Sequence, residues 1–167
     1  MYMSTIKVGV EPEVLSIEAQ EAWRGMLGAT RQLGKEVGLV IQDASGLSPQ
    51  DFDVLVVLLE TPGQTLRSSE LAAAVNWDRS RLSHHAGRLE QKGLLLREPC
   101  STDNRGVQFR ITETGIAAIR QATGPHFRAV KHLFADVLSS RQLEELIEIT
   151  SIIRSHIRAN GRAAKNS

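Results

Sequence analysis

Two short strand-like runs, Leu94–Arg97 and Val107–Ile111, flank a polar loop holding Asp103, Asn104, Arg105 and Gly106. Asp-Asn-x-Gly supplies residues that tolerate positive φ, so the stretch predicts a β-hairpin closing over a tight turn. The tip also carries an arginine two residues after an acid. A solvated hairpin tip has no folding need for a guanidinium, whereas one laid into a DNA groove does.

What precedes the hairpin fixes its context. Ser48-Pro49-Gln50-Asp51 has the order of a helix start: capping serine, proline at the first helical position, then an acid. Phe52, Leu55, Val56, Leu58 and Leu59 follow, and Thr61-Pro62-Gly63 stops the helix. Leu66 fits a short strand. Ser68 or Ser69 is expected to cap a short alanine-rich helix, Glu70–Val75. Asn76-Trp77-Asp78 reads as a turn, with Asp78 capping a helix from Arg79 to Lys92 that Gly93 closes. Helix, tight turn, helix, hairpin is the order of a winged helix-turn-helix.

Longer helices flank this unit. Ala19, Trp23, Met26, Thr30, Leu33 and Val37 recur at spacings of three and four, predicting one buried face on a helix from Ser16 to about Asp43. A helix of roughly seven turns in a small protein often packs against a partner chain. After the hairpin, Thr112-Glu113 starts another helix, which Gly124-Pro125 is expected to interrupt before it resumes to about Leu138. Ser139 and Gln142 have capping-box spacing. The final helix is expected to bury Leu143, Leu146, Ile147, Ile149, Ile153 and Ile157, and its end is basic. The expected class is mainly α, α+β by virtue of the wing. Its divisions are an arm over 1–15, a helical dimerisation domain over 16–47 and 112–160, a winged DNA-binding domain over 48–111, and a tail over 161–167.

At 167 residues the chain is long enough for one sizeable domain with appended helices. Its net charge of +1 says nothing about nucleic acid, so local distribution decides. Between residues 76 and 110 lie seven cations (Arg79, Arg81, Arg88, Lys92, Arg97, Arg105, Arg110) against four acids. At about 100° per residue, Leu82, Ala86 and Leu89 form one stripe of helix 79–92. Ser80, His84 and Gln91 gather opposite, flanked by Arg81, Gly87 and Arg88. Arginines with small hydroxyls and imidazoles are the donor set that major-groove reading requires. Gly87 costs the helix ~1 kcal/mol relative to alanine, which close backbone approach to DNA would explain. Aromatics at 4% of residues speak against base-stacking platforms for single strands.

Other chemistries find little support. No Gly-x-Ser-x-Gly, phosphate-binding loop or dinucleotide fingerprint is present, and Ser83 beside His84-His85 forms no relay, because helical neighbours point about 100° apart. No enzyme and no cofactor are therefore expected. No histidine pair has the i, i+4 spacing of a helical zinc site, so no metal is expected either. A single cysteine fits a reducing compartment, no run approaches a membrane helix, and the amino-terminus lacks a signal-peptide pattern. A cytoplasmic protein with no membrane partner is the expectation.

The chain resembles the multiple-antibiotic-resistance regulator (MarR) family of bacterial transcription factors. The matching residues are Leu71-Ala72, Arg79-Ser80-Arg81-Leu82-Ser83 and Arg88-Leu89-Glu90-Gln91-Lys92-Gly93-Leu94. Arg97, Asp103-x-Arg105 and Ile111-Thr112-Glu113-x-Gly115 continue the match, with Gly46-Leu47-Ser48 and Pro62-Gly63 before it. The resemblance covers roughly residues 16–158. It implies a homodimer whose first and last helices interleave, leaving two winged lobes. It implies that helix 79–92 enters the major groove through Arg79, Ser80, Arg81, Ser83, His84 and Arg88. The wing would contact DNA through Asn104 and Arg105, with Arg105 in the minor groove and Asp103 as its support. A two-fold dimer implies a pseudo-palindromic operator with half-sites roughly 34–36 Å apart.

Repression follows if that operator overlaps a promoter. Family members often bind small phenolic or anionic ligands between the dimer domain and the lobe. Trp23, Met26, Arg31, His126 and Phe127 are the expected lining of such a crevice. Two other readings stay open. One is a winged-helix module whose basic face binds protein. The other is a redox-responsive regulator using Cys100, whose thiol nearby Arg97 and Arg105 would make more acidic.

Overall fold

A computed structural model describes residues 15–100 and 106–160. The element order is α1 (Ile17–Ser45), α2 (Pro49–Glu60), β1 (Thr65–Arg67), α3 (Ser68–Ala74), α4 (Arg79–Gln91), β2 (Leu95–Pro99), β3 (Val107–Ile111), α5 (Glu113–Leu133) and α6 (Ser140–Asn160). The strands form one antiparallel sheet in the order β1-β3-β2, with Leu66 opposite Phe109 and Arg97 opposite Phe109 on the other side. This is a mainly helical winged helix-turn-helix. The chain falls into two compact units that divide at Lys35, inside α1.

Local chemistry sets the element ends. Ser48 caps α2 as expected: its Oγ accepts from the Asp51 N–H at 3.1 Å, and Asp51 Oδ2 accepts from the Ser48 N–H at 3.1 Å. Asp78 Oδ1 caps α4 by accepting from the Arg81 N–H at 2.8 Å. Asn76 enters that cap with φ +54°, and Gly93 leaves α4 with φ +70°, a conformation that costs glycine little. Thr112 Oγ1 accepts from the Gly115 N–H, which starts α5.

The core of the second unit joins α2, α3, α4, the sheet and the first half of α5. Leu55, Leu58, Leu71, Leu82, Leu89 and Leu95 are wholly buried, with Phe109 and Ile119 close behind. Gly38 on α1 allows tight approach to α2, since a Cβ there would lie 2.7 Å from Pro49 Cγ. Gly115 lets α5 close on the strand entry, since a Cβ there would lie 2.2 Å from the Leu94 carbonyl oxygen.

Several expectations are corrected. The short helix begins at Ser68, so neither serine caps it; Glu70 accepts from the Arg67 N–H at 3.2 Å instead. The acid three residues in thus satisfies the N–H of the residue that enters the helix. Strand β2 runs on to Pro99, because Glu98 and Pro99 still pair with Gln108 and Val107. Pro125 sits inside α5 without ending it, and that helix stops at Leu133. Proline removes one ladder hydrogen bond, but the turns on both sides hold the helix. The apolar stripe of α6 is not buried in the chain, and that of α1 is not until Val37, which packs against the core. Trp23 and Met26 are exposed, and no residue of α6 is buried, with Ile147 at 69% exposure.

Candidate nucleic-acid interface

Helix α4 is anchored by its leucines and presents its polar face outward. Leu82, Ala86 and Leu89 are fully buried, as the angular reading expects, while Arg79, Ser80, Arg81, Ser83, His84 and Arg88 are exposed. Ser80, Arg81, His84 and Arg88 come together along one concavity. Ser48, Gln50, Asp51, His85 and Lys92 complete its lining. Arg79 lines a neighbouring hollow with Arg67, Ser68, Ser69, Cys100, Gly106 and Val107. Ser83 lines neither. Asp103, Asn104 and Arg105 lie outside the described residues, so the wing contacts expected of them do too.

Beneath the exposed face lies a polar cluster that the sequence reading left out. Asp51 and His85 are both buried. His85 Nε2 lies 2.9 Å from Asp51 Oδ1, a close polar contact made off the axis of a good hydrogen bond. Lys92 Nζ donates to Asp51 Oδ2 at 3.0 Å, tying the end of α4 to the start of α2. Arg88 Nη2 reaches His85 Nδ1 at 2.6 Å. Burial raises the Asp51 pKa, but hydrogen bonds from Lys92 and Ser48 outweigh it and hold the group below the usual carboxylate value. Burial lowers the His85 pKa, Asp51 opposes that, and Arg88 and Lys92 reinforce it. The net direction is down, so His85 is neutral at pH 7.

Trp77, in the turn before α4, links this cluster to the exposed face. Its ring meets His85 edge-on at 5.0 Å, and the Arg81 guanidinium lies 4.4 Å from its centroid. At the base of the wing, Arg97 lies over Phe109, and Arg110 pairs with Glu98 across β2 and β3. Arg110 holds the Glu98 carboxyl below its usual range by donating to it.

The sequence carries a signal for only one member of this pair. Residue 85 lies 3 and 4 positions from Leu82 and Leu89, next to the buried stripe, and a polar side chain there needs a buried partner. Its partner, the acid at the third position of α2, is Asp51, and no local signal joins the two. The angular pattern sorts the leucine stripe and the face opposite it, and residue 85 falls beside the stripe.

The remaining expected residues divide by unit. In the first, Trp23 and Met26 are exposed, and Arg31 Nε donates to the Leu27 carbonyl of its own helix at 3.1 Å. In the second, His126 lies between Phe52 and Phe127, with ring centroids 5.1 and 5.5 Å away. Cys100 is 2% exposed and its N–H donates to the Gly106 carbonyl at 2.9 Å. So little exposure weighs against the redox reading. Among the described residues no group of three metal-ligating side chains assembles, and no helix is long and apolar enough to cross a membrane.

Residues 45–106, which contain α2 to β2, match the sequence model of the MarR family. AbsC, a MarR family transcriptional regulator from Streptomyces coelicolor, superposes with a TM-score of 0.82 at 35% identity, covering 87% of this chain and 98% of AbsC. The chain belongs to the MarR family. Sco3205, a MarR family regulator from the same organism solved in complex with DNA, superposes at 0.81 with 34% identity over 90% of this chain and 91% of its own. A candidate transcriptional regulatory protein for the hcr operon of Thauera aromatica is 33% identical over 96 residues, 58% of this chain. That match spans about half, 54%, of the Thauera protein. As a MarR family member, this chain is a DNA-binding transcriptional regulator.

Proposed function

We propose that the chain acts as a homodimeric repressor that binds a pseudo-palindromic operator and is released by a small phenolic or anionic ligand. The observation that carries the DNA-reading part is the outward face of α4. Ser80, Arg81, His84 and Arg88 share one concavity on a helix whose opposite side is locked into the core. In this reading Arg79 and Ser83 complete the major-groove set. Asn104 and Arg105 contact DNA from the wing, and Asp103 supports Arg105. Residues 48–111 serve as the winged DNA-binding domain.

The dimer part is supported by the apolar faces of α1 and α6. Ile149, Ile152 and Ile157 stand more than half exposed on α6, and Trp23 does the same on α1. Residues 16–47 and 112–160 would supply the dimerisation domain, and the two-fold axis would set half-sites about 34–36 Å apart. Trp23, Met26, Arg31, His126 and Phe127 are the proposed ligand-contacting set.

The decisive experiment is selection of duplex DNA from a genomic library, followed by affinity measurement across salt. A dimer neutralising ~6–10 phosphates loses ~10³–10⁵ in affinity between 50 and 200 mM salt. A flat salt response, or no retained fragment, would favour a protein-binding winged helix instead. Adding a panel of phenols to the complex then tests release. Retention of the operator across the panel would remove the ligand part alone.

A further inference from the structure

The buried imidazole under α4 has a task beyond packing, and it rests on the DNA-reading proposal above. We infer that His85 is a positioning residue for DNA recognition, which holds the Arg88 guanidinium in a fixed direction before DNA arrives. The chemistry of the contact fixes its sense. A guanidinium has only donors, so Nδ1 of His85, 2.6 Å from Arg88 Nη2, must present a lone pair. The ring proton then sits on Nε2, facing Asp51 Oδ1 at 2.9 Å. Asp51 is itself held by the Ser48 N–H and by Lys92 Nζ. An anion anchored at the start of α2 therefore sets the tautomer, and the tautomer sets the acceptor offered to Arg88.

The second flanking arginine converges on the same ring. Arg81 stacks on Trp77, and Trp77 packs edge-on against His85. Arg81 and Arg88, which share the concavity, are thus placed by contacts that end at one buried imidazole. A free arginine loses rotamer freedom on binding. One already tethered loses less, so affinity rises without a new DNA contact. The groups facing the ring are Asp51 from α2 and Arg88 and Lys92 from α4, and the Nδ1 lone pair survives only while the ring is neutral.

Two near-isosteric substitutions separate positioning from packing. In His85→Asn the side-chain oxygen takes the place of Nδ1 and keeps an acceptor for Arg88. In His85→Gln the side-chain amide takes the place of Nε2, which keeps the Asp51 contact and loses that acceptor. Affinity is read by fluorescence anisotropy on a duplex that the wild-type chain selects from a random pool. His85→Gln is expected to bind about two- to tenfold more weakly, and His85→Asn to stay within about twofold of wild type. In an Arg88→Ala background the His85→Gln loss should largely vanish, because the tethered group is gone.

Equal losses for both variants, or an undiminished loss beside Arg88→Ala, overturns the inference and leaves the DNA-reading proposal standing. Selection of no duplex at all removes that proposal and the inference with it. A measurement on the DNA-free protein covers variants that fold poorly. The ¹⁵N shift of His85 Nδ1 should move in Arg88→Ala, whose substitution lies on the surface. An unmoved resonance overturns the contact in solution.

Discussion

Helices α4 and α6 are both amphipathic and lie in the same unit, yet their apolar stripes have opposite fates. On α4, Leu82, Ala86 and Leu89 are 0% exposed against α2, α3 and the sheet. On α6, Ile147, Ile149, Ile152, Ile153 and Ile157 are all exposed. Burying an isoleucine side chain is worth about 1.5–3 kcal/mol, so five left in water forgo on the order of 10 kcal/mol. That is as large as the whole stability of a typical domain. The difference teaches that periodicity reports an apolar face and is silent about which surface covers it. We propose that α4 folds the lobe and α6 joins two copies.

The strongest way to break that comparison is to charge the α6 face. Ile149→Asp combined with Ile153→Asp should weaken dimerisation about 100-fold or more, read by sedimentation equilibrium, because uncompensated charges would be buried at the seam. A variant pair that stays dimeric at wild-type concentrations would mean α6 does another job. Next in size, Leu82→Ala should destabilise the lobe by about 2–5 kcal/mol. Its loss in thermal or urea unfolding should be the same at every protein concentration. The α6 variants should instead show a concentration-dependent difference from wild type.

A smaller effect separates the polar seam under α4 from its leucines. His85 is held below its ordinary pKa, so the unfolded chain binds its proton first as pH falls. Stability contributed by the neutral ring is present above about pH 6.5 and is lost as pH drops through the folded value. Asp51 is also held low, so its contribution is present above about pH 4 and fades below it. Urea unfolding from pH 7 to 3 should therefore show two successive losses. Asp51→Asn should abolish the lower one, and a curve still falling in that window would assign it to other carboxylates. Smallest of all, Gly87→Ala should stabilise the lobe by up to ~1 kcal/mol, since a Cβ there meets nothing within 4 Å. If operator affinity falls while stability rises, the glycine serves approach to DNA. If affinity holds, close approach there is not needed.

Much of this fold was legible because its signals are local. Ser48, Asp78 and Thr112 cap helices through bonds spanning three residues, and the leucine stripe of α4 follows from helical period alone. The expectations that fell short depended on distance or context. Pro125 looks like a break in isolation, but a proline within a long helix is carried by its flanking turns. The fate of the α6 isoleucines depends on what lies across from them, which no window of sequence contains. Within the candidate site the outward residues were readable from angle. His85 was not, because its partner Asp51 is 34 positions away and the pair meets only when α2 and α4 pack.

The corner where α4, β2 and α5 meet carries a mechanical consequence. Thr112 Oγ1 donates to the Gly93 carbonyl at 2.7 Å while accepting from the Gly115 N–H, and the Thr112 N–H donates to the Leu94 carbonyl at 3.1 Å. With no side chain at Gly115 to hold them apart, the three elements are welded at their backbones. Helix α5 has 21 residues, so it is about 30 Å long, and its first half is packed into the lobe that carries this corner. A tilt on the order of 3° at its far end would displace the corner by about 1.5 Å with no bond in the lobe broken. Small movements far from DNA can therefore be delivered as changes in the position of a rigid tool.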